Sequence, residues 1–99
     1  MSTKKLFELD GKVAIITGSS KGIGLAIARG LAEHGANIVL SSRNQEVLDV
    51  QVNKLKKDGL NAVAHSCHVG DENQRKDLIK KTIESFGKID ILVNNAAIN

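Results

Sequence analysis

The chain has 99 residues, 41% hydrophobic and 25% charged, which suits one small globular domain with little reserve of buried surface. Its net charge of +3 comes from cations scattered over what read as outer helix faces (Lys54, Lys56, Lys57, Arg75, Lys76, Lys80, Lys81). With no Trp or Tyr and two Phe there are no rings to stack bases, so no nucleic-acid partner is expected. No run approaches the roughly 18 apolar residues of a membrane helix, the charged stretch Met1–Asp10 is not a signal peptide, Ile98-Asn99 carries no peroxisomal tripeptide, and Cys67 is the sole cysteine. A cytoplasmic protein without a membrane partner is the expectation.

In chain order, Val13–Thr17 is apolar and partly β-branched and reads as a buried parallel strand. Gly22–His34 reads as a helix with Ile23, Ile27 and Leu31 on its inner face and Gly35 as its stop. Gly30 lies inside it, where glycine costs about 1 kcal/mol against alanine, and close helix-on-strand packing is expected to compensate. Ile38–Leu40 is the second strand. Gln45–Asp58 is the second helix, with Leu48, Val52 and Leu55 inward and Gly59 at its end. Ala62–Ala64 opens a third strand that runs on toward Cys67. Asp71 then caps a third helix whose apolar face is Ile79, Ile83 and Phe86 and which ends at Gly87. Ile89–Asn94 is the fourth strand. Alternating strands and helices imply an α/β fold, a partial doubly wound Rossmann fold with a parallel sheet in the order 3-2-1-4. Residues 1–99 form one nucleotide-binding unit, with ligands expected at the carboxyl ends of its strands.

The segment after the first strand reads Thr17-Gly18-Ser19-Ser20-Lys21-Gly22-Ile23-Gly24. A pyrophosphate needs backbone N–H donors at close range, and a helix N-terminus supplies them together with a favourable dipole. Gly18 serves the turn, Gly22 the close approach and Gly24 the helix–sheet packing. Lys21 precedes the glycine and no Gly-Lys-Ser/Thr follows, so this is not a P-loop.

Thr-Gly-x-x-x-Gly-Ile-Gly resembles the glycine motif of the short-chain dehydrogenase/reductase family. Ile91-Leu92-Val93-Asn94-Asn95-Ala96-Ala97 resembles that family's Asn-Asn-Ala-Gly motif after strand 4, with Ala97 in place of glycine. The resemblance runs from Leu9 onward. Cys67-His68-Val69-Gly70 and Asn95-Ala96-Ala97-Ile98-Asn99 look most like the retinol and carbonyl reductases within it.

An acid some 20 residues past the glycine loop would hold a ribose 2′-OH and repel a 2′-phosphate. Ser42 stands at that place and Arg43, which can fork onto a phosphate, follows it. Lys21 resembles the second basic residue of NADP-preferring members, so NADP(H) is expected over NAD(H). The resemblance implies that Ser19, Ser20 and Ile23 belong to the cofactor loop, that Asn95 and Ala96 lie by the ribose near the nicotinamide, and that His68-Val69 occupies the adenine position where the family often has Asp-Val. Asn94 is expected to tie strand ends.

His65, Cys67 and His68 lack the further Cys or His needed for a zinc tetrahedron, and no metal site is expected. His34 suits a helix C-terminus. Ser19 and Ser20 have no His–acid pair to activate them as nucleophiles. The resemblance implies a catalytic Ser and a Tyr-x-x-x-Lys pair, and a chain with no Tyr contains no such pair. Catalytic residues, the small carbonyl or alcohol substrate site and the main homo-oligomer interface are therefore expected in sequence beyond Asn99, the chain being the N-terminal part of an oxidoreductase. A stand-alone nucleotide-binding or interaction module without catalysis is the alternative.

Overall fold

A computed structural model of the chain describes residues 8–95. Its elements are β1 (Val13–Thr17), α1 (Gly22–Glu33), β2 (Asn37–Ser41), α2 (Gln45–Lys57), β3 (Ala62–Ala64), α3 (Glu72–Phe86) and β4 (Ile91–Val93). All strand pairs are parallel and the order is β3-β2-β1-β4, as the alternating pattern requires.

β1 is buried on both faces, which explains its uninterrupted apolar run. Ala14 and Ile16, with Ile38 and Leu40 of β2, pack against Ala28 and Ala32 of α1 and Leu48, Val52 and Leu55 of α2. Ile15 and Val39 point to the opposite face and meet Cys67 and Leu78. The sheet is thereby covered by α1 and α2 on one side and by α3 on the other.

The inner face of α1 differs from the expected one. Its buried residues are Gly24, Ala28 and Ala32, while Ile27 and Leu31 are half-buried and Ile23 is 75% exposed. Small residues four apart let the helix axis approach the sheet, so the contact row is theirs and the isoleucine row turns outward by one position. Gly30 also departs from expectation. A Cβ built there meets nothing within 4 Å, so no close packing offsets its cost.

In α3 the buried residues are Leu78 and Thr82, with Phe86 half-buried; Ile79 and Ile83 are exposed. The helix covers the Ile15–Val39 face but not the ground over β4, where Leu92 is 60% exposed. Thr82 tolerates burial because its hydroxyl donates to Leu78 O at 2.8 Å. β3 stops at Ala64 rather than reaching Cys67, although the chain stays tied to β2 through His65 N–H to Leu40 O at 3.0 Å and Cys67 N–H to Ser42 O at 2.8 Å. β4 likewise spans Ile91–Val93 only.

Helix ends follow the expected chemistry. Asn44 caps α2 by accepting from Val47 N–H at 3.2 Å, and Asp71 caps α3 by accepting from the N–H groups of Asn73 and Gln74. Gly87 ends α3 with φ of 82°, a left-handed conformation in which a side chain would be strained. At the amino ends of the central strands, Asp90 accepts from Val13 N–H at 2.8 Å and its own N–H donates to Val13 O at 2.9 Å.

Candidate functional site

The carboxyl ends of β1, β2 and β4 form one rim, and the glycine loop starts there. Gly18 has φ of 63° and Gly22 φ of 59°, so both turns use backbone that side chains rarely adopt. Gly24 is needed for a different reason. A Cβ there would overlap Gly18 O and lie 2.7 Å from Asn95 Nδ2. Its close neighbours are thus the loop and the end of β4, not the sheet face that the sequence pattern pointed to.

Asn95 closes this corner. Its Nδ2 donates to Gly18 O at 3.2 Å and its N–H to Thr17 Oγ1 at 3.0 Å. The Thr17 hydroxyl lies 3.3 Å from both Val93 O and Asn94 Oδ1. Asn94 thus joins strand ends, while Asn95 ties the first turn of the glycine loop to the end of β4. Ala96 lies outside the described residues.

The two loop serines are placed differently. Ser19 is fully buried, its Oγ donating to Ile16 O at 2.7 Å and accepting from Ser41 N–H at 2.9 Å. Its hydroxyl is spent on binding β1 to β2. Ser20 is half-buried, and Lys21, Gly22 and Ile23 are exposed. Lys21 occupies the N-cap of α1 without a side-chain cap bond, and the first turn holds no acid. The free N–H groups there have no competing carboxylate in their own first turn.

At the end of β2, Ser42 is half-buried and its Oγ accepts from Asn44 N–H at 3.4 Å. Arg43 is exposed. Among the described residues neither Arg43 nor Lys21 makes an ion pair, whereas Arg29, Lys76, Lys81 and Lys88 all do. On the β3–α3 loop, His68 and Val69 are half-buried.

Three contributors escaped the sequence reading. Gln45 donates to Ala64 O and accepts from Ser66 N–H, Gln74 accepts from His68 N–H at 2.7 Å, and Arg75 donates to Val69 O at 2.6 Å. Their partners are backbone groups 6 to 21 residues away, and nothing in residue type or spacing announces them.

His65 and Cys67 face the α3 side. Burial pushes the Cys67 thiol up, and burial followed by the nearby Lys81 ammonium pulls His65 down from its ordinary value. An open apolar groove of about 430 Å³ lies beside the rim, lined by Thr17, Val69, Leu78, Ile79, Leu92 and Asn94 together with the Arg75 side chain. No helix among the described residues is long and apolar enough to cross a membrane.

A parallel sheet whose rim carries such a glycine loop defines a dinucleotide-binding fold of the Rossmann class. The family model described as short chain dehydrogenase matches residues 12–99, and the chain belongs to that family. It is 47% identical over 100 residues to tropinone reductase-like 3 of Erythroxylum coca, covering 99% of this chain and 39% of that protein. It is 50% identical over 91 residues to dehydrogenase/reductase SDR family member 4 of Oryctolagus cuniculus, covering 92% of this chain and 35% of the relative. Among solved structures, a hydroxysteroid dehydrogenase from Escherichia coli superposes with a TM-score of 0.90 at 39% identity, over 98% of this chain and 41% of that one. The chain thus spans about two-fifths or less of the length of these relatives.

Proposed function

We propose that this chain is the dinucleotide-holding part of an NADP(H)-dependent oxidoreductase that interconverts a carbonyl and an alcohol in a longer protein. The observation that carries the preference for NADP(H) is the pair Lys21 and Arg43. Both are exposed at the rim, both lack carboxylate partners among the described residues, and Ser42 stands where an acid would repel a 2′-phosphate.

The residues fit the cofactor. Gly18 and Gly22 leave the loop free of side chains where the pyrophosphate approaches, and the uncapped start of α1 offers donors. Ser20, Lys21, Gly22 and Ile23 line that approach, with Ser19 and Gly24 supporting it from within. Ser42 and Arg43 take the 2′-phosphate end, His68 and Val69 the base, and Asn95 and Ala96 the ribose near the nicotinamide. The bound dinucleotide supplies hydride. The chain's own contribution is to bind and orient it, because the Tyr-x-x-x-Lys proton donor that the family resemblance implies is not found in a sequence without Tyr. The substrate pocket and the homo-oligomer contacts belong to the rest of the longer protein.

The test is Arg43→Asp. Removing one charge-assisted bond worth about 1.5–3 kcal/mol lowers NADPH affinity by roughly ten- to a hundredfold, while NADH binding holds or improves. An unchanged NADPH-to-NADH ratio sinks the preference. A cooperative melt that NADPH fails to raise counts against dinucleotide binding altogether and favours an interaction module.

A further inference from the structure

Among the described residues β3 is an edge strand of three residues, and the chain beyond it stays pinned to β2 and α2. The N–H of His65 donates to Leu40 O at 3.0 Å, that of Ser66 to Gln45 Oε1 at 2.8 Å and that of Cys67 to Ser42 O at 2.8 Å. These three bonds keep the Cys67 side chain, 2% exposed, packed with Ile15, Val39 and Leu78.

The His65 ring sits in this segment with an unmet demand. Its Nε2 is buried and has no hydrogen-bond partner among the described residues. The ring forms one wall of an open cleft of about 330 Å³, whose other walls are Lys81, Glu84 and Ser85 of α3. The charges acting on it are Lys81, Asp77 and Glu84, all from α3. On the other side the Leu40 carbonyl of β2 and the Gln45 amide of α2 hold its segment and carry no charge. The Asp77 carboxylate is already engaged, 3.0 Å from the Lys81 ammonium. A neutral ring can keep its proton on Nδ1 and leave Nε2 bare. A protonated ring carries N–H on both nitrogens, and a buried charged N–H without an acceptor is strongly disfavoured. Burial first, and Lys81 after it, accordingly pull the His65 ring below its ordinary value.

We propose that His65 is a proton-operated latch: when its ring is protonated, residues 65–67 detach from β2 and uncover Cys67 while the rest of the sheet stays paired. The ring reaches water by leaving. The detachment breaks three hydrogen bonds at a sheet edge, which is a local opening and not global unfolding. Below pH of about 6.5 the open form takes up a proton that the closed form refuses. The opening constant therefore rises by up to tenfold per pH unit until the lower folded value is reached. Opening also frees Ser42 O, so the change reaches the rim beside Arg43.

Cys67 is the sole cysteine, so its labelling by a pyridyl disulfide reports the opening directly. The rate is measured on the whole chain between pH 7.5 and 5 and divided by that of a short peptide carrying Ser66-Cys67-His68. A normalised rate that rises at least threefold toward acid is expected, with only a weak response to low urea. His65→Gln, which cannot take up the proton, should give a flat profile. Lys81→Met removes a repelling charge and should shrink the rise, whereas Glu84→Gln removes an attracting one and should enlarge it. A flat profile in the parent, or an equal rise in His65→Gln, overturns the proposal. A rate that follows urea with the full slope of global unfolding also overturns it, because Cys67 is then reached only through the unfolded chain. If His65→Gln does not fold, the other two variants decide: opposite changes support the latch, and unchanged or like changes overturn it.

Discussion

Two glycines in α1 are expected to respond to the same substitution with opposite signs. Gly24→Ala places a methyl group onto Gly18 O and 2.9 Å from Gly18 C, both backbone atoms fixed by the loop. Overpacking of this kind costs about 1–3 kcal/mol. Displacing Asn95 from its 3.2 Å bond to Gly18 O removes about 1 kcal/mol more, and the gain in helix propensity returns about 1 kcal/mol. The net expectation is a loss of about 1–3 kcal/mol, or a fall in Tm of roughly 5–20 °C for a domain of this size. Gly30→Ala meets nothing within 4 Å, so the helix gain of about 1 kcal/mol stands unopposed and Tm rises by roughly 5 °C. Both variants and the parent are compared by urea and thermal unfolding followed by circular dichroism. Equal stability of Gly24→Ala and the parent, or destabilisation by Gly30→Ala, refutes the reasoning.

Two pH effects follow from groups away from the rim. The Val13 N–H, and after it the Lys88 ammonium, hold the Asp90 carboxyl below its ordinary value. Its stabilising contribution is present above pH of about 4 and is lost as pH falls through the lower folded value. Asp90→Asn should lower the urea midpoint at neutral pH and flatten its decline in acid, and an unaltered pH profile would count against the clamp. His65 has a buried Nε2 without a partner among the described residues, and its pKa is lowered first by burial and then by Lys81, with Asp77 and Glu84 opposing. The unfolded chain therefore takes up the proton first, so stability declines as pH drops from about 6.5 toward the folded value. His65→Gln should remove that part of the decline between neutral and mildly acid pH, as read from unfolding midpoints at several pH values.

Much of the fold was legible because alternation and punctuation agree. Gly35, Gly59 and Gly87 each mark a helix end, Asp71 caps where its residue type says it should, and the strand order follows from parallel crossovers. The inner faces of α1 and α3 were not legible, because apolar counting cannot see how near a helix lies to its sheet. Gly24, Ala28 and Ala32 set that distance in α1, and in α3 Thr82 is buried while Ile79 is not. At the rim, the glycine loop announces itself by its spacing. The burial of Ser19, the corner made by Asn95 and the glutamine and arginine ties of the β3–α3 loop do not, since each depends on a backbone atom brought near by the fold.

Asn95 and Gly18 are 77 residues apart, and the strands that bring them together are joined at Ala14↔Ile91. Pairing β1 with β2 closes a much shorter stretch of chain, from Val13 to Asn37. Closure of the longer loop carries the larger entropic cost and, among contacts of similar strength, comes later in folding. The corner at Asn95 is therefore a late mark of assembly. A ligand that needs the glycine loop in its finished shape therefore binds only molecules in which β1 and β4 have already paired.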